Sequence, residues 1–253
     1  MSASTFPDTL AGLLRADSAR PLVTFYDDAT GERIELSVAT FGNWVNKTAG
    51  LVQDELDVER GGLLLLDLST HWLGAVWLGA AWTGGLCVTT NRSLAEEADL
   101  VVCGPDVVET YAQKYAQTAE ERPVVGISLR PLGGRFVDPL PSGVTDYGAV
   151  VLAQPDEFFP NDPPSEDDPA WRDGTTAMTQ AELLAMVDDA PLVGVRGRLL
   201  TDVNPCSRVG LATLLSPMTR GGGTVWVANP EETSWKKRYD EERATAELRA
   251  THT

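Results

Sequence analysis

Asn204, Ser207 and Arg208 are the residues whose types and spacing place them best to meet a ligand. They follow a strand-like run, Arg198 to Asp202, and lead into a helix-like run from Arg208 to Leu215. The crevice between a strand end and the next helix is where open α/β sheets bind ligands. A guanidinium there can pair with a carboxylate or a phosphate; the plainer alternative is that Arg208 is a surface cation. Gly221-Gly222-Gly223 could cradle an anion, but it sits between a helix and a strand, where the first glycine serves as a helix C-cap. His71 lies between a strand end and an apolar helix, a position that suits a hydrogen-bonded helix-start residue better than a general base. The only other histidine, His252, is in the tail. A Ser-His-Asp hydrolase therefore has no support, and no GxSxG elbow, Walker loop, GxGxxG or HExxH is present. Cys87, Cys103 and Cys206 are far apart, without CxxC or Cys/His spacing, so no metal site is assigned and no zinc is expected.

The elements that must position these residues alternate between strands and helices. Residues 61 to 90 read as a β-α-β crossover: the apolar run Leu63 to Leu68, a helix from Trp72 to Trp82, and a returning strand at Leu86 to Thr89. A helix apolar all round and too short to span a bilayer belongs inside the protein, so Trp72, Trp77 and Trp82 are expected in the core. Before this unit come a helix at Thr9 to Asp17, a strand pair turning at Asp27 to Gly31, and a helix at Val38 to Leu56. After it come a strand at Leu100 to Cys103, a helix from Asp106 to about Ala116, and a strand at Val124 to Leu129. Asp146 to Ala153 is expected as a short helix capped by Asp146, although its Val-Val-Leu run also permits a strand. Thr179 and Glu182 form a capping box for a helix to about Asp189. A strand at Gly223 to Ala228 and a charged helix at about Glu232 to Ala250 finish the chain. The expected fold is α/β, with mainly parallel sheets flanked by helices.

Residues 155 to 173 carry five prolines among many acids and a single arginine. Such proline density argues against a core strand. The segment reads as an acidic linker, 156–173, between an α/β lobe at 1–155 and a smaller α/β lobe at 174–253. The chain has 253 residues and a formal net charge of −17, which disfavours nucleic acid and anionic membranes as partners. No apolar run is long enough for a bilayer, and a soluble, cytoplasmic protein is expected.

The ordered series of segments resembles the early part of adenylate-forming enzymes: acyl-CoA synthetases, luciferases and peptide-synthetase adenylation domains. It is carried by Leu22 to Tyr26, Glu35 to Leu56, Asp57 to Leu63, and Trp82 to Thr90. It continues near the C-terminus with Arg198-Leu199-Leu200, Asn204-Pro205 to Gly210-Leu211, and Pro217 to Val227. The resemblance implies a nucleotide-binding phosphate loop, and its counterpart here is Gly174, Thr175 and Thr176. The second glycine and the lysine of that loop are missing, and Asp173 stands beside it, so a plain loop-to-helix connection is the competing reading. Where that family often carries a histidine near the acyl site, this chain has Arg208 or a neighbour. The adenine-binding turn, the ribose-binding aspartate and the C-terminal catalytic lysine of the family have no counterpart. The resemblance therefore implies a truncated, non-catalytic relative with no catalytic residue, which could keep an acyl or nucleotide ligand such as ATP or AMP with magnesium. Two alternatives are a split ligase completed by a second chain and an interaction module. The latter would form a homo-oligomer or cover its truncated face with a protein partner.

Overall fold

The structure, a computed structural model, describes residues 4–116 and 122–251, and His252 lies outside them. The chain opens with α1 (Phe6–Asp17), the antiparallel strands β1 (Pro21–Asp27) and β2 (Glu32–Ser37), and α2 (Val38–Gly50), which a π-helical turn extends over Leu51–Glu55. Next come β3 (Leu63–Asp67), α3 (Trp72–Thr83), β4 (Cys87–Thr89), β5 (Leu100–Cys103), α4 (Val108–Tyr111) and β6 (Val124–Gly126). The second half holds β7 (Val144–Asp146), α5 (Tyr147–Val150), β8 (Pro169–Asp173), β9 (Thr176–Thr179) and α6 (Gln180–Asp189). It closes with β10 (Arg198–Thr201), α7 (Leu211–Thr219), β11 (Gly223–Ala228), α8 (Glu232–Glu241) and β12 (Ala246–Leu248).

Two compact units interleave along this chain. The first contains residues 1–42, 70–75 and 181–253, and the second contains 43–69 and 76–180. Proline density around 155–173 gives no sign of this partition, because residues 1–42 fold with 181–253.

The first unit is built on a five-stranded sheet of order β12-β10-β11-β1-β2, parallel except for β2. Leu200, Val225, Val227 and Trp235 form a core on it. The structure corrects the expected C-terminal helix. α8 stops at Glu241, Arg243 turns left-handed at φ 51°, and residues 246–248 return as a parallel edge strand. Glu242 is drawn into the fold rather than onto a helix face: Tyr26, Arg33 and Arg198 all donate to its carboxylate. Those hydrogen bonds outweigh burial and hold its carboxyl below the usual range.

The second unit holds a seven-stranded sheet of order β7-β6-β5-β3-β4-β8-β9, parallel except for β9. β3 lies at its centre, and Leu64, Leu65 and Leu66 are fully buried, as a strand covered on both faces requires. The tryptophans of α3 are buried as expected, and the Trp82 indole donates to the Ala170 carbonyl at 2.8 Å. Asp146 caps α5 by accepting from the Gly148 amide at 3.1 Å, so the expected helix at 146–153 is present. The strand expected at Val124 to Leu129 ends at Gly126, and Asp106 does not cap α4, whose N-cap is Val107.

A further correction concerns the expected linker. Residues 169–173 are not exposed connector but strand β8, inserted between β4 and β9, with Ala170 and Trp171 buried. Pro169 is tolerated because it is the first residue of the strand, and the other four prolines precede it. Trp171→Ala is accordingly expected to lower unfolding free energy by about 3–5 kcal/mol in urea titrations. An exposed linker residue would change it by no more than about 0.5 kcal/mol.

Candidate functional site

Residues 204–208, where a ligand crevice is expected, follow the carboxyl end of β10 and belong to the first unit. In that sheet β11 and β12 flank β10 on opposite sides, so the strand order reverses between β10 and β12. Such a switch point is where open α/β sheets take ligands. Here internal bonds fill the local polar groups. The Asn204 side-chain oxygen accepts from the Cys206 amide at 2.9 Å, and its carbonyl accepts from the Ser207 hydroxyl at 2.8 Å. Ser207 Oγ in turn accepts from the Gly210 amide at 3.0 Å. A Cβ at Gly210 would collide with the Asn204 carbonyl oxygen, so this turn requires glycine there. Asn204 and Ser207 thus build the turn. Arg208 is exposed and donates only to the Met186 sulfur at 3.2 Å.

The residues that close this switch point were not singled out in the sequence. Asp202, whose side chain is 1% exposed, meets Arg249 Nε at 3.0 Å and accepts from the Ala250 amide at 2.6 Å. The Arg249 guanidinium lies 3.9 Å from the Trp235 ring centroid and also pairs with Glu232. Only the pairing of β12 with β10 brings Asp202 and Arg249 together, and that strand is invisible to helical periodicity. The second unit repeats the arrangement. Its order reverses between β3 and β5, and at the end of β3 Asp67 accepts from Tyr111 at 2.8 Å and pairs with Arg92 at 2.8 Å.

Gly174, Thr175 and Thr176 belong to the second unit. They form the tip of the β8–β9 hairpin, not a loop entering a helix. Asp173 pairs directly with Thr176, leaving Gly174-Thr175 as a two-residue turn, and Gly174 adopts φ 58°. A turn of two residues cannot aim several amides at one phosphate, as an anion cradle must. Asn91 donates to the Asp173 carboxylate at 3.1 Å, which keeps that charge at the tip. The nearest cation, Arg172, is paired with Glu97 at 2.5 Å. No lysine lies between Lys114 and Lys236. Among the described residues no cluster of His, Cys, Asp or Glu could hold a metal ion. A magnesium-bound triphosphate does not fit this tip.

His71 heads α3 in the first unit. Its Nδ1 accepts from the Leu73 amide at 3.2 Å, and its ring meets Phe25 edge-on at 4.8 Å. Burial lowers its pKa to about 3, with Asp27 opposing weakly, so it is neutral across the physiological range. The cysteines are free and buried, and burial pushes Cys87 to about 11 and Cys103 to about 12, which makes both thiols unreactive. Among the described residues no helix is long and apolar enough to cross a membrane.

No family model matches the sequence. A relative from Mycobacterium tuberculosis (strain ATCC 25618 / H37Rv), named TIGR03089 family protein, is 32% identical over 256 residues, covering 96% of this chain and 100% of the relative. The chain belongs to the TIGR03089 family. Among solved structures, an acyl-CoA synthetase from Brucella canis superposes with TM-score 0.75 at 15% identity, over 95% of this chain and 47% of that one. A fatty acyl-adenylate ligase from L. pneumophila, solved with acyl adenylate and pyrophosphate, gives TM-score 0.71 at 12% identity, over 97% of this chain and 44% of that one. The fold of this TIGR03089 family member is that of the N-terminal domain of adenylate-forming enzymes. The chain spans about half the length of the two solved enzymes it matches.

Two outcomes follow for the TIGR03089 family member. The unfolded chain binds a proton at His71 near its ordinary pKa of about 6.5, whereas the folded chain refuses it down to about 3. Stability at His71 is therefore whole above pH 6.5 and falls with decreasing pH, by about 2 kcal/mol at pH 5. Urea titrations at pH 7 and pH 5 should show this difference, and His71→Gln should remove it. Arg249→Ala leaves Asp202 buried without its cation and should cost about 3 kcal/mol or more. Arg208→Ala should change stability by no more than about 0.5 kcal/mol.

Proposed function

We propose that this chain is a non-catalytic relative of the N-terminal domain of acyl-CoA and acyl-adenylate ligases. The observation that carries this reading is the Arg172–Thr176 hairpin tip. It offers a two-residue turn, a retained carboxylate at Asp173 and an arginine already paired with Glu97. Activating a carboxylic acid with ATP requires the triphosphate to be held against its own charge by amides and cations. The tip supplies neither in sufficient number. The polar groups at Asn204 and Ser207 are likewise engaged within their own turn, so they do not present a ready acyl or nucleotide subsite. On this reading ATP, AMP and magnesium are ligands of the enzymes with which the fold is shared, and this chain has lost the means to hold them.

The purified protein, incubated with ATP, magnesium and a panel of carboxylic acids, is expected to show no pyrophosphate exchange. Neither ATP nor an acyl-adenylate mimic at millimolar concentration should raise its melting temperature, as binding to the folded state would. Exchange above background from the protein alone would overturn the reading. Exchange that appears only when a second polypeptide is added would replace it with a split ligase.

A further inference from the structure

The acidic, proline-rich segment 154–168 does something other than link. It crosses the second unit as a strap held at both ends. Lys47 donates to the Gln154 carbonyl and pairs with Asp156 at 3.1 Å, and Asn46 donates to the Asp156 carbonyl at 2.9 Å. Midway, the Asn161 amide donates to Gln53 at 2.8 Å. At the far end Arg60 makes a bidentate pair with Asp168 at 2.7 and 2.8 Å and reaches Asp162 at 2.8 Å. Between the strap, α2 and the end of α3 these clips leave a cavity of about 310 Å³, within the range of small-ligand sites.

The two parts of its lining differ in chemistry. The buried Val52 and Leu86 and the half-buried Phe158 supply its apolar lining, while the exposed Asp57, Glu59 and Asp162 supply its carboxylates. Arg60 is the only lining cation, and every nitrogen of its guanidinium is already taken by Asp162 or Asp168. The side chains of Asp57 and Glu59 make no ion pair or hydrogen bond among the described residues. The lining therefore combines uncompensated carboxylates with apolar and aromatic side chains. A carboxylate or phosphate would be repelled there. A cationic head has both carboxylates to meet, and an apolar body has the Val52, Leu86 and Phe158 side chains.

We propose that this cavity is a binding site for a small organic cation, a primary amine with an apolar or aromatic body. Its lining includes neither the hairpin tip nor residues 204–208, and the proposal goes beyond the non-catalytic reading without depending on it. The strap's fixed clips make the site pre-formed, so little ordering opposes binding.

The test is isothermal titration of the whole protein with phenethylamine, its neutral analogue 2-phenylethanol and its anionic analogue 3-phenylpropionate. Phenethylamine should bind with one-to-one stoichiometry, the alcohol at least about tenfold more weakly and the carboxylate not at all at about 10 mM. Asp57→Asn/Glu59→Gln, two exposed changes that leave the core untouched, should weaken the amine at least about tenfold. Ala80→Leu should fill the cavity and abolish binding; should it fail to fold, the double variant still decides. Equal binding of amine and alcohol, no amine binding at about 10 mM, or undiminished binding by the double variant would each overturn the proposal.

Discussion

Burial of β3 on both faces is the constraint from which the second unit follows. Four successive leucines at 63–66 cannot face water on either side, and parallel neighbours need covered crossovers. β4 and β5 satisfy this by flanking β3, with the all-apolar α3 as the first crossover. Placing consecutive strands on opposite sides of one strand also creates a reversal in strand order. The first unit does the same around β10. Each sheet thus carries the reversal at which a crevice forms, beside β3 in one and beside β10 in the other. Each crevice is then closed by the same device, an aspartate at the strand end held by an arginine from a later segment: Asp67 with Arg92, and Asp202 with Arg249.

That device explains why the expected ligand positions and the observed polar clusters do not coincide. A sequence reading places polar residues after a strand and infers a crevice lined by them. In the folded chain the first duty of Asn204 and Ser207 is to satisfy the amides of a sharp turn, and the buried carboxylate two residues earlier requires a cation. The same priority acts at the β8–β9 hairpin, where Asp173 pairs with Thr176 across the turn and takes a hydrogen bond from Asn91.

Much of the architecture was legible because it rests on local rules. The leucine run at 63–66, the tryptophans of α3, the Asp146 cap and the Gly221 helix end all carry signals within a few residues of the feature. Gly221, at φ 68°, follows α7 as a C-cap should. What was not legible depends on partners far away in the chain. β8 looks like linker because proline dominates its approach, yet one residue of register with Val88 seats Trp171 in the sheet. β12 looks like the tail of a helix because residues 232–250 are rich in charged side chains, and only β10 makes three of them a strand. The interleaving of the two units rests on pairings such as Val23 with Thr224, and the cavity under the strap on contacts between segments about 100 residues apart. No spacing rule reaches that far.

Charge balance links these observations. With 37 acidic residues against 20 lysines and arginines, arginines at structurally important places meet carboxylates before any ligand arrives. Arg60, Arg92, Arg172, Arg198 and Arg249 each hold at least one. An incoming anion would have to displace an intramolecular carboxylate, whose effective concentration is of millimolar order or higher, and would do so against the field of the whole acidic surface. A cation faces no such competition where carboxylates outnumber their partners, as Asp57 and Glu59 do. The same acidic composition favours the approach of cations over anions. It leaves Asp57 and Glu59 with unpaired negative charge to offer in the lining of a cavity that also presents apolar side chains.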